Sequence, residues 1–407
     1  MVFNFASVPF DEAIRFFRQK VNLPTEKWND IWEGMHSRAF VVAGAIKSEL
    51  LSDLRQAVDK GIAEGTTIAG FRKSFDDTVK RNGWDYKGGR GWRTGVIFDT
   101  NLRTAYAAGH YEQMTEPAVL SARPFWRYIG GLSVNPRPLH LQWNGTVLPA
   151  DDPWWKEHYP PNGWGCKCKV VSQSQDELDR GGLSVSGKAP NDGHYEYADK
   201  TTGEITRVPN GIDPGWAYNP GRVAWGERIS SSAMAGWKAE GAKAWERLTP
   251  GDFSTYDRPA VLPQDEPKAS LGARAKTTIE VEGILRKLLG GEEKTFSFKN
   301  KGFRSDVLVN ARTLAGHVDP ARSEYLPFLP ESLGDPYEVW LAFEKHKGTG
   351  QVVLRQRIIK VVKTGAKEGM LVVTNAVNGV MEAWTLIPVE NLEYLNRQRV
   401  GRLVWKR

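Results

Sequence analysis

The chain has 407 residues, of which 40% are hydrophobic and 25% charged, and its formal net charge is +7. This length exceeds that of a usual domain and the chain carries 16 Trp, so we expect about two or three folded units and exclude a chain disordered throughout. No apolar run approaches the roughly 20 residues that span a bilayer and no basic flank precedes an apolar stretch at the N-terminus, so the sequence predicts neither a membrane anchor nor a secretion signal.

The first part of the chain has the periodicity of amphipathic helices. Apolar residues recur at helical spacing from Phe10 to about Asn82, which predicts at least three such helices. Asp11 is typical of a helix start, Thr66-Thr67 could open a later helix, and Asn82-Gly83 is typical of a helix end. This region predicts a helical bundle.

The sequence pattern changes after the helical part. A last helix is predicted from about Gly95 to Met114, ending before Pro117, so residues 1–115 are expected to be helical and 116–175 to form a loop-rich core. In that core RPFWRYIG alternates like a strand, CKCKVVSQS is a second strand candidate, and several prolines interrupt the segment between them. Burial of neighbouring tryptophans would supply the core there: Trp143, Trp154, Trp155 and Trp164.

The middle of the chain, residues 176–267, is rich in Gly, Ser, Asp and Pro and predicts an extended arm followed by a linker. Two apolar islands interrupt it. YEYADKTTGEITRV predicts a hairpin, and GWKAEGAKAWERL predicts a helix.

The C-terminal part, residues 268–407, predicts a small α+β domain. It opens with the helical pattern IEVEGILRKLLGG. Four strand candidates with turn signals between them predict an antiparallel sheet: EVWLAFEKH (338–346), QVVLRQRIIKVVK (351–363), GMLVVTNAVN (369–378) and VMEAWTLIPV (380–389). The whole chain is therefore expected to be α+β, with a helical bundle leading into an aromatic and Pro-rich α+β core, an extended arm and this C-terminal domain.

Two cysteines and two histidines form a candidate metal site. Cys166 and Cys168, with His140 before them and His158 nearby, offer the four ligands of a structural Zn²⁺ site. Cys-x-Cys is tighter than usual zinc-ligand spacing, and the alternative is that both thiols are small buried groups beside hydrogen-bonded loop histidines. A second alternative makes Cys166 a nucleophile beside His140. Two cysteines so close together rarely form a disulfide, which favours synthesis in a reducing cytoplasm.

Three blocks of sequence resemble one family. RPLHLQWNGTVLPADDPWWKEHYPPNGWGCKCKV spans 137–170, GIDPGWAYNPG spans 211–221, and FDTNLRTAYAAGHYEQM spans 98–114. Together they resemble the phage Mu F-like minor head proteins of tailed phages over roughly residues 1–235, with residues 1–175 as the F-like domain.

The resemblance implies a minor capsid protein that acts in procapsid assembly near the portal and is retained in the virion head after synthesis in the host cytoplasm. The implied partners are the portal protein and the major capsid or scaffold proteins, with no membrane. The positive net charge is compatible with a place beside packaged DNA.

The C-terminal domain resembles the nuclease-like domains of phages that are related to barnase, EndoU and RelE toxins. The resemblance rests on NARTLAGHVDPARSEYLPFLPESLGDPYEVW and on LVVTNAV followed by AWTLIPV. It implies, as an alternative function, a metal-independent ribonuclease carried in the virion and acting on host RNA. No cofactor other than the structural zinc is expected.

Cleavage of RNA needs proton transfer and cationic donors to the phosphate, which selects candidate catalytic residues. His317 is the candidate acid or base, Arg355 the phosphate ligand and Thr374 a hydrogen-bond donor. Arg355 is preferred to Lys360 because the two point to opposite faces of a regular strand. The alternative is that His317 sits in a loop and the cations form a solvated sheet face. The basic tail 397–407, with apolar residues interleaved, could contact nucleic acid or dock on a neighbouring subunit.

Overall fold

The structure, a computed structural model, describes residues 9–131, 133–200, 203–300, 303–364 and 367–407. Helices predominate in its N-terminal part and an antiparallel sheet in its C-terminal part, which confirms the predicted α+β class. In the part of the chain that is described, none of the helices has both the length and the apolar character needed to cross a bilayer.

The chain divides into two compact units. The first comprises Met1–Ser230 with Thr349–Gln351, and the second comprises Ser231–Gly348 with Val352–Arg407. Each unit has its own hydrophobic core.

The first unit begins with the predicted helices. These are α1 (Asp11–Arg18), α2 (Ser48–Glu64), α3 (Ile68–Asn82) and α4 (Arg90–Met114). Apolar residues at every fourth position of α2 form a stripe that is buried among the other helices, as the periodicity predicts. Its members are Leu50, Leu54, Val58 and Ile62.

Both ends of α3 follow local sequence signals. Thr67 caps α3 with its side-chain oxygen, and Gly83 ends it in a left-handed conformation with φ of 59°. The predicted start of α4 at Gly95 is wrong, because the helix already begins at Arg90. A glycine inside a helix costs about 1 kcal/mol relative to alanine. Burial of Phe98 and its apolar neighbours on α4 offsets that cost.

Short helices and three small sheets complete the first unit. The helices are α5 (Pro117–Ala122), α6 (Pro138–Gln142), α7 (Trp155–His158), α8 (Gln175–Arg180), α9 (Pro220–Trp225) and the 3-10 helices Trp28–Asp30 and Glu33–Ser37. The strands are β1 (Val21–Asn22), β2 (Ala39–Phe40), β3 (Phe125–Ile129), β4 (Val147–Pro149), β5 (Lys169–Gln173), β6 (His194–Ala198) and β7 (Ile205–Pro209). β1 pairs with β2, the antiparallel sheet has the order β4-β3-β5, and β6 and β7 form the predicted hairpin.

An aromatic core lies against the sheet β4-β3-β5. Its largest buried rings belong to Trp126, Tyr128, Trp143, Trp154, Trp155 and Tyr159. Burial of Trp143, Trp154 and Trp155 was predicted and is confirmed. The prediction for Trp164 is wrong, because this side chain is 38% exposed and its ring contacts the edges of Trp28 and Trp216.

The second unit is built on one large sheet. Its strands are β8 (Trp245–Arg247), β9 (Glu293–Asn300), β10 (Phe303–Asn310), β11 (Glu338–His346), β12 (Val352–Lys360), β13 (Gly369–Val377), β14 (Val380–Val389) and β15 (Arg402–Lys406). The order is β15-β11-β12-β13-β14-β10-β9, and β8 also pairs with β11. The antiparallel meander β11 to β14 confirms the prediction, and β10 joins β14 in parallel.

Helices pack on both faces of this sheet. They are α10 (Ser231–Glu240), α11 (Thr278–Leu289), α12 (Ala311–Ala315), α13 (Leu329–Gly334), α14 (Leu392–Gln398) and the 3-10 helices Gly241–Ala244 and Pro320–Phe328. Ile358 of β12 joins the core that contains α11, α12 and α13, whereas its neighbour Ile359 joins the core on the other side with Leu395 of α14. This alternation is the two-residue period of a strand buried on both faces.

The structure refines two sequence predictions for the second unit. The segment GWKAEGAKAWERL was predicted to be a helix, and residues 236–244 are helical in α10 and the 3-10 helix after it, but Trp245–Arg247 form β8, which pairs with β11. Residues 402–406 of the basic tail form β15 on the same chain's sheet, and a contact of the tail with nucleic acid or a neighbouring subunit stays a prediction. An available edge of β11 explains both results, because pairing satisfies backbone groups that would otherwise stay exposed.

Candidate functional sites

Three of the four predicted metal ligands come together in the first unit. His140 lies on α6, and Cys166 and Cys168 lie in the turn just before β5. Nδ1 of His140 is 3.8 Å from Sγ of Cys166 and 3.4 Å from Sγ of Cys168, and all three ligand atoms lie within 4.8 Å of one another. A tetrahedral Zn²⁺ with bonds of about 2.0–2.3 Å separates its ligand atoms by similar distances.

The imidazole of His140 is oriented by its surroundings. Its Nε2 lies 2.8 Å from the carbonyl oxygen of Gly211, so Nε2–H donates to that carbonyl and Nδ1 presents its lone pair to the two sulfurs. The ring also stacks on Trp143, with centroids 5.1 Å apart. A backbone partner on the far nitrogen is typical of a histidine that binds a metal.

The two thiols differ in acidity. Their mutual hydrogen bond lowers the pKa of Cys166 against the effect of its burial, and the same hydrogen bond together with burial raises the pKa of Cys168. One thiol of the pair therefore loses its proton readily. A metal would favour the thiolate form of both.

His158 lies outside this group, contrary to the four-ligand prediction. Its ring stacks on Trp154, with centroids 4.5 Å apart, and meets the edge of Trp143. Burial lowers the pKa of His158 to about 4, which keeps the imidazole neutral at ordinary pH. Its position in the aromatic core makes His158 a packing residue.

The three predicted catalytic residues of the second unit do not share a site. His317 is exposed at the end of α12, where its Nδ1 lies 2.8 Å from the Thr313 carbonyl oxygen and its ring contacts Trp384. Arg355 is opposite Asn375 in the β12–β13 ladder, whereas Thr374 is opposite the next residue of β12, so Arg355 and Thr374 lie on different faces of the sheet. Thr374 is also fully buried. The predicted constellation therefore does not assemble.

Arg355 instead belongs to a polar group that sequence reasoning missed. Its Nη1 is 2.6 Å from Oε2 of Glu344, and Arg357 donates to the other oxygen of the same carboxylate. The ring of Trp245 covers Arg355 at 4.3 Å and contacts His346, with ring centroids 5.0 Å apart. Burial, followed by the charge of Arg355, lowers the pKa of His346.

The pairing register of β11 and β12 brings this group together. The alternation of residues along each strand does not predict that register. Glu344 is opposite Val353, which places its carboxylate diagonally from Arg355. Lys360, the rejected alternative for phosphate binding, is 1% exposed and its Nζ lies 2.8 Å from both Asp265 and Asp335. That lysine is a buried ion-pair residue.

Comparisons with known proteins match two separate parts of the chain, one in each compact unit. Residues 52–171 match the family model described as Phage Mu protein F like protein, and residues 286–406 match the one described as phage-Barnase-EndoU-ColicinE5/D-RelE like nuclease2. Both resemblances predicted from the sequence are confirmed. No solved structure matches the chain.

Two curated proteins are similar to this chain. One is the putative capsid assembly protein F of Escherichia phage Mu, 35% identical over 248 residues, which are 54% of this chain and 56% of that protein. The other is the Mu-like prophage FluMu F protein of Haemophilus influenzae, 34% identical over 232 residues, which are 51% of this chain and 55% of that protein. The chain thus spans about half the length of these curated relatives.

Proposed function

We propose that this chain is a minor head protein of a tailed phage and acts in head assembly. The similarity to a protein named as a capsid assembly protein carries the proposal, because it extends over 248 residues and a family match covers 52–171. That range contains helices α3 and α4, most of α2, the aromatic core and the His/Cys group. The proposed site of action is the procapsid near the portal, with retention inside the virion head.

The proposed partners are the portal protein and the major capsid or scaffold proteins, with packaged DNA as a neighbour. The net charge of +7 supports a place beside DNA. In the first unit, we propose that a structural Zn²⁺ is held by His140, Cys166 and Cys168. It would join α6 to the turn before β5, a region where loops exceed regular elements.

Disruption of the gene in the phage tests the assembly role. We expect lysates that contain capsid and portal proteins but few DNA-filled heads, and we expect the full chain supplied from a plasmid to restore them. A plasmid encoding His346→Ala should restore heads equally, because His346 lies outside 52–171, the range whose family match supports the assembly role. Normal head yields without the protein would refute the proposal.

A ribonuclease activity of the second unit, acting on host RNA, is a second candidate function. The nuclease-like match over residues 286–406 supports it, and so does the polar group around Glu344. A neutral His346 could accept a proton from a ribose 2′-OH, while Arg355 and Arg357, held by the Glu344 carboxylate, could donate to the phosphate. Substrate access requires displacement of Trp245, which covers Arg355.

Cleavage of a fluorogenic RNA by the full chain tests this activity with two matched histidine substitutions. We expect His346→Ala to abolish cleavage and His317→Ala, at the exposed end of α12, to leave it unchanged. The reverse pattern would restore the role first predicted for His317. If the full chain and Trp245→Ala both fail to cleave RNA, the second unit has no such activity.

A further inference from the structure

The metal-capable group has three protein ligands, and this number has a chemical consequence. Structural zinc sites are closed by four protein ligands, whereas sites with three protein ligands keep a position for a water or an exchangeable ligand. Among the described residues the group consists of His140, Cys166 and Cys168, and His158 is held in the aromatic core by Trp154.

A cavity lies beside the group on one side. It has a volume of about 410 Å³, and its wall includes both His140 and Cys168. Cys166 is absent from that wall and is only 2% exposed. Cys166 and His140 are therefore buried, and the group reaches the cavity chiefly at the partly exposed Cys168.

An anion at this centre needs a positive group nearby. Two thiolates and a neutral imidazole already neutralise one Zn²⁺, so an added anion would leave the centre with one negative charge. Arg137 and Lys167 contribute positive groups to the cavity wall. The Arg137 guanidinium is already paired with Asp213 at 2.6 Å, whereas Lys167 is exposed. We therefore assign the compensation of the added charge to Lys167, which lines the cavity and forms no ion pair with a carboxylate among the described residues.

We propose that this group binds Zn²⁺ through three protein ligands and leaves a fourth position that takes a small exchangeable anion from the cavity. The inference rests on the metal centre proposed above and changes its character from a closed structural site to an open one. Two sulfurs and one nitrogen are donors that suit zinc. The backbone partner of His140 at Gly211 fixes the imidazole in the orientation that binding requires.

Cobalt substitution of the full chain tests the proposal, because tetrahedral Co²⁺ bound to thiolates absorbs visible light and its spectrum responds to each ligand. We expect one Co²⁺ per chain, a thiolate-to-cobalt charge-transfer band, and a saturable change of the visible bands when azide is added. His158→Ala should keep the cobalt spectrum and its azide response. Cys168→Ser should lose the charge-transfer intensity of one thiolate, with circular dichroism reporting whether the fold is retained.

The outcomes test metal binding and the open coordination position separately. A cobalt spectrum that does not change with azide would refute the open position and leave a closed metal site. Failure to bind Co²⁺ or Zn²⁺ in stoichiometric amount would refute both, and the thiols would then be hydrogen-bonded groups only. Lys167→Ala should weaken azide binding several-fold without changing the azide-free spectrum. Equal azide affinity in that variant would overturn the assigned role of Lys167.

Discussion

Replacement of Arg399 by methionine tests how the second unit is held together. The guanidinium is fully buried and donates to both carboxylate oxygens of Glu338 at 2.7 Å each, and to the carbonyl oxygen of Pro259 at 2.8 Å. Glu338 is also fully buried and keeps Arg258 and Trp340 as partners. Removal of one partner from a buried ion pair costs about 3–5 kcal/mol, because the remaining charge is left without compensation. The two surviving donors place the expected cost near the lower end, at about 3 kcal/mol.

Urea unfolding of the full chain, followed by tryptophan fluorescence, measures this cost. Arg397→Met is the matched control, because Arg397 lies two positions earlier and its pair with Glu393 is exposed on α14. We expect the control to lose at most about 0.5 kcal/mol. A loss below about 1 kcal/mol for Arg399→Met, close to that of the control, would refute the role assigned to the buried pair.

Three further predictions concern the first unit. The pKa of His158 is about 4 in the folded chain and about 6.5 in the unfolded chain, so the unfolded chain takes up the proton first as pH falls. The contribution of His158 to the free energy of unfolding is therefore fully present above about pH 6.5, and roughly 3 kcal/mol of it is lost by pH 4. His158→Phe, which keeps an aromatic ring beside Trp154, should remove that part of the acid sensitivity in denaturant titrations at both pH values, and an unchanged pH dependence would contradict this. Gly221→Ala would place a Cβ 2.4 Å from Cβ of Tyr111 and should cost about 1–3 kcal/mol in thermal unfolding. The control Gly236→Ala, whose added Cβ meets no atom within 4 Å, should not destabilise the chain. Equal effects of the two substitutions would contradict the packing described. Chelation of the metal should lower the melting temperature of the purified chain, and Cys166→Ser should make melting insensitive to the chelator; a chelator effect that persists in this variant would place the metal elsewhere.

The sequence predicts the elements whose signals are local. Thr67 and Gly83 bound α3 as expected, because capping and a positive φ depend on neighbouring backbone groups alone. The meander β11 to β14 follows from the alternation of its strands and the turn residues between them. Three metal-capable residues were also found from residue type and proximity in the sequence.

The failures concern tertiary placement. Nothing local distinguishes Trp164, which is exposed, from the buried Trp155 nearby. His158 has a ligand's chemistry, and only the aromatic core decides that it stacks on tryptophan instead. Arg355 was assigned to the correct strand, but its partner Glu344 depends on the pairing register, which the hydrophobic pattern of β11 and β12 leaves open.

Quantitative mass spectrometry of purified procapsids and mature heads tests the central claim, head assembly, most directly. The account predicts peptides from both 52–171 and 286–406 in these particles, at a copy number far below that of the major capsid protein. A protein that is present in the lysate but absent from procapsids and heads would contradict it.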